Sequence, residues 1–176
     1  MSVNEELREH SEHAQDPFTR QAGAAMAIIA AGLAMVAVYG QLCSTEELLA
    51  QQKASDQWAF YQAKSLRRYQ SEVARDLLAL APAERAEKTA AKFEANIERY
   101  TKEGEEISEK AKELEQESAL MGRRALRLHV GEVFLELAIV FSSLAILSRR
   151  RMFFYVAVCA ASVGFVVGLS ALLLGH

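Results

Sequence analysis

Residues 21–44 read QAGAAMAIIAAGLAMVAVYGQLCS, and within them only Tyr39 and Cys43 carry an ionisable side chain. A helix rises about 1.5 Å per residue, so about 20 apolar residues cross the hydrocarbon core of a bilayer. Two further windows share this character. Residues 133–148 (VFLELAIVFSSLAILS) hold a single charge, Glu136, and residues 152–175 (MFFYVAVCAASVGFVVGLSALLLG) hold none. The three windows predict transmembrane helices at about 22–43, 130–148 and 152–174. Buried helices of a soluble core are the competing reading. A chain of this length seldom needs three such stretches, two of them joined by Arg149-Arg150-Arg151. A polar, acidic segment, residues 1–21, precedes the first window. Its Glu5, Glu6, Glu9, Glu12 and Asp16 argue against a cleaved signal peptide, which wants a basic start. Leu42 is a poor neighbour for a lipidated Cys43, so the first window reads as a retained anchor.

The averages conceal this organisation. The 176 residues are 51% hydrophobic and 24% charged, with a mean hydropathy of +0.02, which is a soluble profile. Lys and Arg number 20 against 23 Asp and Glu, a net charge of −3 that excludes a general excess for binding polyanions. Two cysteines cannot build a disulfide framework, and Cys43 and Cys159 read as small apolar membrane residues. The neutral total is a cancellation. Residues 44–128 hold 15 of the 20 basic and 16 of the 23 acidic side chains.

That charged middle is built from helix formers, chiefly Ala, Glu, Lys, Gln, Leu and Arg. Ser44-Thr45-Glu46-Glu47 has the form of a capping signal for a new helix. This helix is expected to run to about Ala81, and Pro82 suits the first turn of the next. From Ala86 the apolar residues alternate in steps of four and three: Ala86, Ala90, Phe93, Ile97, Tyr100, Ile107, Ala111, Leu114, Met121, Ala125 and Leu128. Only Gly104 and Ser118 interrupt the pattern. A 3.5-residue repeat flanked by Glu and Lys specifies a left-handed coiled coil. The first arm has a similar spacing at Leu66, Tyr69, Val73, Leu77 and Leu80. The fold expected is all-α: three transmembrane helices, with an extramembrane antiparallel coiled-coil hairpin at 44–128 that turns near 81–83. Arms of that length reach roughly 55–70 Å.

The first arm is uneven, because Trp58, Phe60 and Tyr61 cluster beside Lys64, Arg67 and Arg68. Aromatics at 58, 60 and 61 cover more than one helical face, so one partner arm cannot bury them all. They are expected to touch other subunits or a headgroup layer. Basic and aromatic clusters also stack nucleic-acid bases. The acidic neighbours Asp56, Glu72 and Asp76 oppose that reading, and no nucleic acid is expected. The plain alternative for the whole region is a solvated spacer.

The segment Ala54-Ser55-Asp56-Gln57-Trp58-Ala59-Phe60-Tyr61-Gln62-Ala63-Lys64-Ser65 resembles the signature of a bacterial membrane-protein family, domain of unknown function 4337. The run Glu9-His10-Ser11-Glu12-His13, followed by Asp16-Pro17-Phe18, is similar to that family's start, and the arrangement of anchor, helical middle and terminal pair agrees. The resemblance covers essentially the whole chain. It implies a bacterial source and a membrane location, but no activity and no catalytic residue.

Sidedness follows from Lys and Arg near the spans. Arg8 and Arg20 precede the first, and Arg149, Arg150 and Arg151 join the second to the third. These place the N-terminus in the cytoplasm and the hairpin outside a bacterial inner membrane. Arg123, Arg124 and Arg127 pull the other way.

Glu132 and Glu136 are the sharpest chemical feature. They share a helix face with His129 and Ser143, and carboxylates within a span normally face a bundle interior, a partner or a water-filled cavity. Glu132 continues the seam from Leu128, so in an oligomer these groups could ring an axis and bind or pass a cation or proton. The alternative sets both glutamates at the headgroup boundary, paired with Arg124 or Arg127. His10 and His13, beside Glu6, Glu9 and Asp16, lack the tight ligand spacing of a structural zinc site, and no metal or cofactor is expected. Ala160, Gly164 and Gly168 recur every four residues and permit close helix approach, either within the chain or between copies. Gly23, Ala27 and Ala31 offer a similar face. No phosphate-binding loop or nucleophile elbow is present, so no enzyme is expected. The function expected is a homo-oligomeric membrane scaffold or interaction module, which packs through Phe93, Ile97, Tyr100, Ile107, Leu114, Met121, Leu128 and the small residues of the third span. Its partners would be the lipid bilayer, further copies and other membrane proteins. A proton-responsive or ion-conducting assembly is the alternative, and a strain-sensing arm is a third reading.

Overall fold

The computed structural model describes residues 17–78, 80 and 83–174. Three helices account for nearly all of them: α1 (Pro17–Leu78), α2 (Ala83–Ser148) and α3 (Arg151–Ser170). No strand occurs among the described residues. Each helix contains a stretch long and apolar enough to cross a membrane.

The helices run longer than the sequence pattern implies. α1 does not restart at Ser44. The Thr45 hydroxyl donates to the Gln41 carbonyl four residues back, at 2.9 Å, so the expected capping group is spent inside a continuing helix. The flanking Leu, Ala and Glu residues favour that continuation. α1 ends at Leu78, three residues before the expected stop. α2 likewise passes through 128–130 without a break. The expected turn at Ala81 and Pro82 lies outside the described residues, as do His10, His13 and the acidic residues of the N-terminal segment.

The chain divides into two compact units. One comprises Met1–Thr45 with Leu120–His176, the other Glu46–Ala119. In the first unit, Ile29, Leu135, Ala138 and Ala161 form a core with Leu33, Val36, Ile139 and Ala160 around it. Cys43, Ala125, Leu128 and Ala171 form a second cluster. Half of these side chains are Ala or Cys, and glycines let the backbones approach closely. A Cβ placed on Gly131 would come within 2.8 Å of the Gly164 carbonyl oxygen, and one on Gly164 within 2.8 Å of that of Gly131. A Cβ on Gly32 would collide with the Phe165 ring.

Two residues separate α2 from α3. The first, Arg149, has φ 52°, a left-handed conformation that usually falls to Gly at a helix end. At its other end α3 continues as turns to Leu174. There Arg124 Nε donates to the Leu174 carbonyl at 2.8 Å, and Arg127 Nη1 donates to the Ser170 carbonyl at 3.1 Å. These guanidinium groups satisfy carbonyls that a helix end leaves open and complement its negative pole.

Little of the apolar surface is covered by protein. Only 11%, 28% and 22% of the apolar windows in α1, α2 and α3 is buried, and Met35 and Leu147 are 75% and 84% exposed.

In the second unit, α1 and α2 meet along the faces that are least exposed. On α2 this face follows the four-three seam: Phe93, Ile97, Tyr100, Ile107 and Leu114 are half-buried, while Gly104 and Ala111 are buried. On α1 it carries Ala50, Ala54, Tyr61, Lys64, Arg68 and Ser71, all buried or half-buried. The expected first-arm stripe is therefore corrected. Leu66, Tyr69, Val73, Leu77 and Leu80 are exposed. Small residues let the helices approach at one end of the unit, and long stems of Lys64 and Arg68 cover the joint further on. The more apolar stripe is left outside.

Candidate functional site

Within the first unit, α1 and α2 bring together three polar side chains. His129 Nδ1 lies 3.0 Å from Glu132 Oε2, and its Nε2 lies 3.2 Å from Ser44 Oγ. Glu132 reaches His129 because residues three apart in a helix are neighbours. Ser44 comes from α1, 85 positions away in sequence. An imidazole can donate through one ring nitrogen and accept through the other, so it can link a carboxylate and a hydroxyl at once. Gly40 sets the α1 backbone against the ring, since a Cβ there would meet His129 Cε1 at 3.4 Å.

The linkage of hydroxyl to Nε2 and carboxylate to Nδ1 has the order of a nucleophile, base and orienting acid. Acyl transfer also needs N–H donors aimed at a developing oxyanion. Ser44 sits well inside α1, where the N–H groups are engaged in the helical ladder. What the structure holds here is a continuous chain of hydrogen bonds from Ser44 through His129 to Glu132.

Glu136 stands apart from this chain. It is exposed and makes no hydrogen bond or ion pair among the described residues, and Ser143, two turns on, is also exposed. Pairing of the glutamates with Arg124 or Arg127 does not occur, because those arginines bind the carbonyl end of α3 and Glu132 binds His129.

In the second unit the aromatic segment of α1 packs onto α2. Trp58 Nε1 donates to Glu115 Oε1 at 2.8 Å, and the Trp58 and Tyr61 rings meet edge to face at 5.6 Å. Tyr61 lies over Gly104, where a Cβ would stand 3.5 Å from its ring. Lys64 pairs with Glu103 and lies 5.3 Å from the Phe60 ring centroid and 5.5 Å from that of Tyr100. Arg75 bridges Asp76 and Glu94, and its guanidinium is held charged more firmly than usual by its hydrogen bonds to the two carboxylates. Trp58, Tyr61 and Lys64 are thus engaged within the chain, while Phe60 remains half exposed. These three side chains of the 54–65 segment fix the register of α1 on α2.

Residues 18–174 match the family described as domain of unknown function (DUF4337). The chain belongs to this family. No curated protein and no solved structure matches it. The DUF4337 span includes both constellations and the whole 54–65 segment.

Within that span, the two interruptions of the α2 seam turn out to be contact points. Gly104 admits the Tyr61 ring, and Ser118 Oγ donates to the Glu47 carbonyl at 3.2 Å. Met121 and Leu128, in the first unit, continue the less exposed face of α2. Gly164 and Gly168 pack against Gly131 within the chain, and Ala160 lies beside the first core cluster. Sequence reasoning misses Ser44 and Glu103. Ser44 reads as a cap in its local context. Glu103 is one of many glutamates on a charged arm, and nothing local marks it out. Among the described residues, no three His, Cys, Asp or Glu side chains gather to hold a metal.

Proposed function

We propose that this DUF4337 protein is a non-enzymatic, three-span protein of the bacterial inner membrane whose hairpin assembles copies into a scaffold. One observation carries the reading. Leu66, Tyr69, Val73 and Leu77 lie on the outside of the second unit, three of them about 60% exposed, at the three- and four-residue steps of a helix-packing stripe. A stripe with this spacing on a helix in water is covered by another helix, and a second copy of the same stripe is the simplest cover. The α2 seam and the small face of α3 are used within the chain, so assembly falls to this open face. The two arms themselves form an antiparallel coiled coil, and other membrane proteins are the clients of the scaffold.

The uncovered apolar windows support the membrane location, since lipid solvates such surfaces as readily as protein does. The N-terminus and Arg149–Arg151 face the cytoplasm, and the hairpin lies outside. Arg123, Arg124 and Arg127 weigh against this orientation in a simple count; two of them, Arg124 and Arg127, also bond to the end of α3.

The test is the mass of the full chain in mild detergent, alone and as the Leu66→Glu, Val73→Glu, Leu77→Glu variant. The wild type is expected to be a defined oligomer and the variant a monomer of unchanged helicity. A wild type that is monomeric across a hundredfold concentration range overturns the reading.

A second reading is favoured by the Ser44–His129–Glu132 chain and by the exposed Glu136: a proton-responsive or ion-conducting assembly. Carboxylates at membrane depth are costly unless a partner or water meets them. Glu136→Gln alters proton flux in reconstituted vesicles on this reading and leaves it unchanged on the first.

A further inference from the structure

At the end of the first unit where α1 begins, three arginines gather with aromatic side chains. Arg151 lies over the Phe18 ring at 6.0 Å, and Phe18 and Phe154 meet edge to face at 5.9 Å. Together with Pro17, Gln21 and Tyr155 they line an open cleft of about 220 Å³. A second cleft, lined by Arg20 and Ala24, shares Pro17 and Gln21 with the first. Arg150 stands immediately before α3 and, like Arg20 and Arg151, is exposed. These three arginines form no ion pair among the described residues. The first unit has only two carboxylates among its described residues, Glu132 and Glu136. Glu136 is the nearer along α2, and about 20 Å of helix separates it from Arg149. Among the described residues of the unit, positive charge is therefore concentrated at this end.

We infer that this cleft binds the phosphate of an anionic phospholipid, with Arg151 as the principal ligand and Arg20 and Arg150 at the rim. Guanidinium groups match phosphate oxygens in a two-pronged fork. The apolar run of α3 starts directly after Arg151, so a lipid held there by its phosphate lays its acyl chains along the exposed Tyr155, Val158 and Val166 side of that helix. Tyr155 has the amphipathic ring that is enriched at headgroup depth in membrane proteins. No side chain caps the start of α3, so its first N–H groups add to the positive potential at the same place. The cleft is smaller than a pocket for a drug-sized ligand, which suits a headgroup rather than a whole soluble metabolite. Basic pockets beside membrane helices on the cytoplasmic side hold anionic headgroups by this chemistry. The inference rests on the membrane reading above.

The test uses the full chain in mixed micelles holding phosphatidylglycerol and phosphatidylcholine in equal amounts, with retained lipid counted by native mass spectrometry. Phosphatidylglycerol is expected to be retained about tenfold over phosphatidylcholine. The Arg150→Gln, Arg151→Gln variant is expected to lose that preference. Arg123→Gln, which removes a charge elsewhere on α2, is expected to keep it. Equal retention of the two lipids by the wild type overturns the inference, as does a preference that survives in the double variant. Displacement of the lipid by millimolar inorganic phosphate also overturns it, because the site would then take free phosphate. Carbonate extraction of cell membranes separates the lipid site from the membrane location beneath it. A chain released by carbonate sinks the membrane reading, whereas a chain that resists extraction yet shows no lipid preference sinks only the lipid site.

Discussion

Lys64 and Glu103 show what a charge pair contributes when aromatic rings surround it. Their ion pair joins α1 to α2, with the Phe60 and Tyr100 rings both near the ammonium group. The Glu103 carboxyl is held below its ordinary range, first by the hydrogen bond from Lys64 and further by the charges of Lys64, Arg99 and Arg67, against an opposing desolvation. A carboxyl lowered in the folded state stabilises fully above its unfolded value of about 4.3, and this stabilisation is lost as pH falls through the lowered value. Thermal unfolding followed by circular dichroism from pH 7 to pH 3 is therefore expected to show a falling midpoint at the acid end. Glu103→Gln should lower the midpoint at pH 7 and flatten the acid fall. Identical pH profiles for the two proteins would deny the pair any stabilising role. The Ser44–His129–Glu132 chain belongs to the same scale, but the sequence conceals it more deeply. His129 and Glu132 are visible as a pair three apart, whereas Ser44 joins them only because α1 lies against α2. Its Ser-Thr-Glu-Glu context looks like a helix start, and a mid-helix serine gives no sign of a distant partner.

The contact between α2 and α3 depends on an absence of side chains. Gly131 and Gly164 bring the two backbones so close that a single methyl group has no room. Inside a bilayer there is no water to expel, so such contacts rest on close packing between helices. Gly131→Ala forces the backbones apart and is expected to cost about 1–3 kcal/mol, read as a lower midpoint for unfolding in detergent. Gly23→Ala is the matched control, because a Cβ there meets nothing within 4 Å. Equal midpoints for the two variants would contradict the packing described. At this scale the second arm is legible in the sequence, and the first misleads for a physical reason. From Phe93 to Leu128 the apolar residues and the packed face coincide, so the four-three spacing points to the contact. On α1 the packed face carries Ala50, Ala54, Lys64, Arg68 and Ser71, which pack by smallness or by their aliphatic stems. A hydropathy pattern therefore picks out Leu66, Tyr69, Val73 and Leu77 instead, and these lie outside. The small residues at 160, 164 and 168 are readable as a packing face, but not as one already satisfied by Gly131.

The mean hydropathy of +0.02 describes no part of this molecule. It averages apolar stretches that protein leaves mostly uncovered with a charge-dense unit whose acids and bases nearly balance. The number of apolar spans can be read from charge-free windows, because an apolar run of that length has few other uses. Their continuity cannot: α1 and α2 pass from apolar to charged sequence without a break, and hydropathy marks such a change as a boundary. The proposed topology, with the hairpin outside and Arg149–Arg151 in the cytoplasm, has α2 cross the membrane between Glu105 and Ser148, which are exposed on either side of its apolar stretch. The most direct measurement is labelling by a membrane-impermeant thiol reagent in spheroplasts. It uses chains with Cys43 and Cys159 replaced by alanine and a single new cysteine, Glu105→Cys or Ser148→Cys. Labelling is expected at 105 in intact spheroplasts and at 148 only after they are opened. Labelling of both positions from the same side would contradict a membrane-crossing α2.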